Sequence, residues 1–123
     1  MPLRYAGWLL NREDREALLA AFPPAYARTI ADHVTLKAPV PRGLPSPAAT
    51  EGAVVGVADD GTGVQALVVE IYGSTRRPDG SIFHVTWSLA EGRRAVESNH
   101  VLRERGWSPV KRHRLRLELR EPA

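Results

Sequence analysis

Apolar and polar positions alternate with period two in three segments of this chain, Asp32–Lys37, Ser81–Leu89 and Val110–Leu119, set among apolar runs, two stretches of helical spacing and turns rich in glycine and proline. Arg4 to Leu10, carrying Tyr5, Trp8 and two leucines, reads as a short strand. Asn11 is a helix N-cap, and Glu13 and Asp14 fall in the first turn, where the helix dipole favours acids. Leu18, Leu19 and Phe22 recur at helical spacing, and Pro23-Pro24 ends the helix because proline cannot continue it. Pro24 to Arg28 is a loop or a short helical turn. Asp32 to Lys37 then alternates as a strand, with Val34 and Leu36 inward and His33, Thr35 and Lys37 on the other face.

Ala38 to Ala49, with Pro39, Pro41, Pro45 and Pro47, reads as a surface loop; neither flank alone is large enough to hold a core. Gly52–Asp59 and Gly63–Tyr72 are apolar runs joined by Asp59-Asp60-Gly61-Thr62-Gly63, a hairpin signal. Val64 to Ile71 is nearly all apolar, which predicts a central strand covered on both faces. Gly73 to Gly80 is turn-rich and leads into the strand Ser81–Leu89. There Phe83, Val85, Trp87 and Leu89 face the core, and Ile82, His84, Thr86 and Ser88 face away. Arg93 to Arg105 is partly helical, with Val96, Val101 and Leu102 as its apolar side. Gly106 to Pro109 turns the chain, and Val110 to Leu119 is a final strand with Leu115, Leu117 and Leu119 inward. Strands, a hairpin and two helices in this order predict a single α+β domain over residues 1–123 with mainly antiparallel pairing.

Composition narrows the class. A chain of 123 residues buries roughly two-thirds of its unfolded surface, enough for one core. Without cysteine, neither disulfides nor thiolate metal sites are available. No run approaches the roughly 20 apolar residues of a membrane span, and no secretory leader is read, so the expectation is a soluble, cytoplasmic protein. The net charge of +3 comes largely from arginine, whose planar fork suits phosphate, although such a charge is also ordinary for solubility.

The candidate chemistry lies in a repeat. Only four histidines occur, and two stand in copies of the same tripeptide, His33-Val34-Thr35 and His84-Val85-Thr86. On a strand, each pair sets an imidazole and a hydroxyl about 7 Å apart on one face. Two such strands side by side would line a cleft. Opening a phosphodiester with water needs a base for the water and an acid for the departing alkoxide, and imidazole suits both. The hydroxyls would bind non-bridging phosphate oxygens. This design demands no metal and no other cofactor.

These residues resemble the two-histidine (2H) phosphoesterase superfamily, whose signature is two His-x-Thr/Ser motifs, each followed by an apolar residue: here His33-Val34-Thr35-Leu36 and His84-Val85-Thr86-Trp87. Within it the chain is most similar to the cyclic phosphodiesterase module of fungal and plant-type tRNA ligases. Val54–Asp59, Val64–Val69 and Ala95-Val96-Glu97-Ser98-Asn99 carry that likeness. The resemblance implies two pseudo-symmetric lobes around a central cleft, with two or three helices outside. It implies hydrolysis of a 2′,3′-cyclic phosphate, on an RNA end or a nucleotide, to a 2′-phosphate and 3′-hydroxyl. His33 and His84 would be catalytic, with His84 the base and His33 the acid, and Thr35 and Thr86 would bind phosphate. A monomer is expected, with RNA or a cyclic nucleotide as substrate and a repair ligase or kinase as a possible partner. Other readings are an RNA-end or nucleotide-binding module with little catalysis, and a 2H enzyme for another cyclic phosphate or a cyclic oligonucleotide.

Further candidates for substrate contact are Lys37, Ser88, Arg76, Arg77 and Tyr5. Each has a plainer reading as strand end, mobile loop or core. Trp8, Tyr26 and Tyr72 could stack a base but are more readily core. Ser98 and Asn99 read as helix-ordering residues, and His100 and His113 lie outside the motif.

Overall fold

The computed structural model describes residues 4–40, 51–71, 73–77 and 80–120. Its elements are β1 (Arg4–Leu10), α1 (Arg12–Ala21), β2 (Arg28–Thr29), β3 (His33–Val40), β4 (Glu51–Asp59), β5 (Val64–Glu70), β6 (His84–Leu89), α2 (Glu97–Arg105) and β7 (Ser108–Arg120). The fold is α+β: an antiparallel sheet in the order β2-β6-β5-β4-β7-β1-β3, with two helices.

The two ends of that order are one stretch of chain. Thr29 pairs with Ser88, and the amides of Ile30 and Ala31 donate to the carbonyls of Trp87 and Thr86. The chain then leaves β6. Asp32 accepts from the Leu10 amide, and His33 pairs with Leu9 of β1. Residues 28–40 thus run along both edges of the sheet and curl it. The crossing point is Ala31, a buried non-glycine residue at φ 42°. A backbone held there costs on the order of 1 kcal/mol.

Inside the curl lies the main core: Trp8, Leu10, Leu18, Val34, Val54, Leu67, Val69, Phe83, Val85, Trp87, Leu115 and Leu117. Trp8 and Phe83 meet edge to face at 6.1 Å. A second cluster lies under α2, where Ala58, Val64, Val68 and Leu89 pack against Val101 and Leu102. β5 contributes to both clusters, which accounts for its nearly unbroken apolar sequence. Among the described residues no helix is long and apolar enough to cross a membrane.

Local signals placed α1 well. Asn11 Oδ1 accepts from the Asp14 amide at 3.1 Å, and the helix stops at Ala21, just before Pro23-Pro24. Four features differ from simple patterning. β2 is too short to leave a periodic trace. β3 runs through Pro39 to Val40, into the stretch read as a loop, because β1 pairs with it as far as Val40; residues 41–50 of that loop lie outside the described residues. Val96 is 52% exposed rather than part of the apolar side of α2. Leu89 joins the cluster under α2 rather than the main core, for a reason that also bears on the site.

Candidate functional site

β6 carries the second motif, and its alternation is broken once. Thr86 pairs with Ala66, but Ser88 pairs with Gln65, so two steps on β6 oppose one on β5. Such a bulge flips the faces beyond it. Val85 and Trp87 point into the main core and His84 and Thr86 away from it. Past the bulge Leu89 lies opposite Val64 under α2. Ser88 consequently leaves the face it was expected to share with His84. It is fully buried, donates to Gln65 Oε1 at 2.5 Å and accepts from the Tyr26 amide at 3.2 Å, so its hydroxyl is committed inside the protein.

On β3, Val34 is in the main core, which puts His33 and Thr35 on the outer face. Past Ala31, β3 and β6 diverge, and the space between their outer faces is bridged by Arg77. Its Nη1 donates to the Thr35 carbonyl at 3.3 Å, Nε to Ser81 Oγ at 2.6 Å, and Nη2 to Asn99 Oδ1 on α2 at 2.8 Å. One buried guanidinium thereby ties the first motif, the loop leading to the second, and the helix that follows it. The charges of Arg77 and His33 both act on His84 and disfavour its protonated form.

The two histidines are held differently. His84 is 8% exposed. Its Nδ1 lies 2.8 Å from the Ile82 carbonyl, which can only accept, so Nδ1 carries the hydrogen and Nε2 the lone pair. Burial lowers its pKa to about 4, and the positive charges of Arg77 and His33 act the same way, against the opposing hydrogen bond to Ile82. His33 is more open, its side chain 35% exposed, and its Nδ1 meets Asp32 Oδ2 at 3.0 Å.

The threonines also differ. Thr35 is half-buried at the Arg77 bridge. Thr86 is buried, 2.9 Å from Ser98 Oγ and 3.3 Å from the Ala95 carbonyl, to which its hydroxyl donates. Ser98, itself fully buried, thus secures the start of α2 against the motif.

Of the other candidates, Arg76 is exposed and donates to the Gly80 carbonyl at 3.1 Å. Tyr5 and Lys37 lie on β1 and β3, but their side chains, like all of Tyr72, lie outside the described residues. Trp8 is wholly core, and the Tyr26 hydroxyl donates to Asp59 Oδ1 at 2.5 Å. His100 Nδ1 lies 2.7 Å from Arg103 on the exposed side of α2, and His113 packs edge-on against Phe22 at 5.1 Å.

Much of the arginine charge is answered elsewhere. On β7, Arg112 faces Glu70 at 2.6 Å, Arg114 faces Glu51, and Arg116 forks onto Asp14 at 3.0 and 3.1 Å. Among the described residues of β7, these arginines form a ladder of ion pairs. Asp32 was the residue that reading by motif passed over. Its only sequence signal is its place immediately before His33.

No protein-family model matches the chain, and no curated protein and no solved structure matches it either. The functional reading therefore stands on the residues and their arrangement.

Proposed function

We propose that this protein is a phosphodiesterase that opens 2′,3′-cyclic phosphates on RNA ends or nucleotides. What supports the reading is that Arg77 ties the first His-Val-Thr strand to the loop and helix flanking the second, and that each imidazole has its Nδ1 engaged by a neighbouring oxygen, which directs chemistry to Nε2.

His84 arrives neutral at physiological pH with its lone pair on Nε2, the form a base requires. It takes a proton from water as the water oxygen attacks phosphorus. The P–O3′ bond breaks, and His33 gives its Nε2 proton to the departing ribose oxygen, leaving a 2′-phosphate and a 3′-hydroxyl. A phosphate anion beside the ring offsets part of the burial and of the positive charge that weaken His84 as a base, raising its proton affinity toward the useful range. Thr35, two residues along the same strand and so on the face of His33, would bind a non-bridging oxygen. In this reading β3 and β6 each carry one half-site of a two-lobed enzyme, a cytoplasmic monomer using no metal and working beside an RNA-repair ligase or kinase.

A second reading has one observation in its favour. The Thr86 hydroxyl is spent on Ser98 and Ala95, so the second half-site presents its imidazole without a free hydroxyl. A module that binds phosphate ends with little turnover fits that asymmetry.

The test is hydrolysis of a panel of 2′,3′-cyclic mononucleotides and cyclic-phosphate RNA ends, with product analysis. His33→Ala and His84→Ala should each lower kcat by about 10²-fold or more while the fold persists. Full activity in either variant removes that histidine from the mechanism. Salt-sensitive RNA binding without product favours the binding module.

A further inference from the structure

Asp32 precedes the first motif at the point where the chain crosses from β6 to β1. Two features fix it there. Its carbonyl accepts from the Leu10 amide at 3.1 Å, and Ala31 before it is held at positive φ. This backbone turns the carboxylate back onto its neighbour, with Oδ2 3.0 Å from His33 Nδ1. We infer that Asp32 is a positioning residue that sets the ring and tautomer of His33 for proton donation from Nε2.

The chemistry follows from the acceptor. A carboxylate can only accept, so it selects a hydrogen on His33 Nδ1. When the charged ring gives its Nε2 proton to the leaving oxygen, it relaxes to the neutral tautomer that Asp32 already holds, with no reorientation. An unrestrained imidazole distributes its hydrogen over both nitrogens and turns about its side-chain torsions. His84 achieves the same selection with the Ile82 carbonyl. The two half-sites therefore fix one tautomer by different means: a carboxylate where the ring must carry positive charge before transfer, and a neutral carbonyl where it must not.

This inference rests on the cyclic-phosphate reading, so its test has an arm independent of turnover. The Asp32 side chain is 55% exposed, and its backbone carbonyl still serves Leu10 in an alanine variant, so Asp32→Ala is expected to fold. Long-range proton–nitrogen correlation at about pH 9, above the ordinary imidazole range, reports which nitrogen of neutral His33 bears hydrogen. The intact chain should show Nδ1–H, and Asp32→Ala should lose that preference. On a 2′,3′-cyclic mononucleotide, Asp32→Ala should lower kcat about tenfold with KM little changed, a fraction of the roughly 10²–10⁴ that a placed acid supplies. Asp32→Glu should recover part of both signals.

An unchanged tautomer in Asp32→Ala overturns the inference. So does a shifted tautomer with unchanged kcat, or a rise in KM alone. Absence of turnover in the intact chain overturns the enzymatic reading instead, and the spectrum alone then decides whether Asp32 orients the ring.

Discussion

Replacing His84 by asparagine removes a titrating ring but keeps an N–H able to donate to the Ile82 carbonyl. In the folded protein His84 takes up a proton only near pH 4, whereas an unfolded chain does so near its ordinary value of 6.5. The unfolded state therefore binds more protons between those values, and stability falls as pH is lowered through them. It is fully present above about pH 6.5 and fully lost below the folded value. A displacement from 6.5 to about 4, at about 1.36 kcal/mol per unit, is worth on the order of 3 kcal/mol. That is a large share of the roughly 5–15 kcal/mol of a typical domain. The assay is urea unfolding, followed by tryptophan fluorescence, from pH 7.5 down to pH 4 for the intact chain and for His84→Asn. Groups common to both chains cancel in the difference. The stability of the intact chain relative to His84→Asn should fall by about 3 kcal/mol over this range. The ring Cε1–H resonance of His84 should shift only as pH approaches 4. A midpoint near 6.5, or parallel pH dependence of the two chains, refutes the reasoning, because it would mean that the ring is hydrated or held in a different place.

Arg77→Met removes a positive charge that disfavours protonated His84, so the resonance midpoint of His84 should move upward, and kcat on a cyclic nucleotide should fall with the bridge to Thr35 and Asn99. Asp60 anchors the β4–β5 turn by accepting from the amides of Thr62, Gly63 and Val64 at 2.9–3.0 Å and from Arg93 at 2.8 Å. Asp60→Ala should cost about 3 kcal/mol in chemical unfolding, since several donors lose a charged acceptor at once. Desolvation opposes ionisation of that carboxylate, yet these bonds hold its pKa below the ordinary range, so the contribution is present above the ordinary value and lost as pH falls through the folded one. At Gly56 a Cβ would lie 2.1 Å from the Trp107 ring; Gly56→Ala should destabilise by about 1–3 kcal/mol and shift tryptophan emission to the red as Trp107 is pushed outward.

What the sequence determined is the local part. Period-two alternation marked β3, β6 and β7, the Asp59–Gly63 turn joined β4 to β5, and Asn11 with Pro23-Pro24 bounded α1, because side-chain direction, capping and proline stereochemistry act within a few residues. The repeated His-Val-Thr was equally visible, as were the faces on which His33, Thr35, His84 and Thr86 lie. Tertiary structure decided how these elements meet. Ser88 left its expected face because a bulge depends on the register between β5 and β6, which neither strand encodes alone. Val96 became exposed because α2 begins only at Glu97 and turns Val101 and Leu102 inward. The low proton affinity of His84 comes from burial and from charges distant in sequence, and the Arg77 bridge spans 42 positions to reach Thr35. Such long-range terms exist only once the sheet has curled and residues 28–40 have joined its two edges, since electrostatic coupling and desolvation follow distance in space and not along the chain.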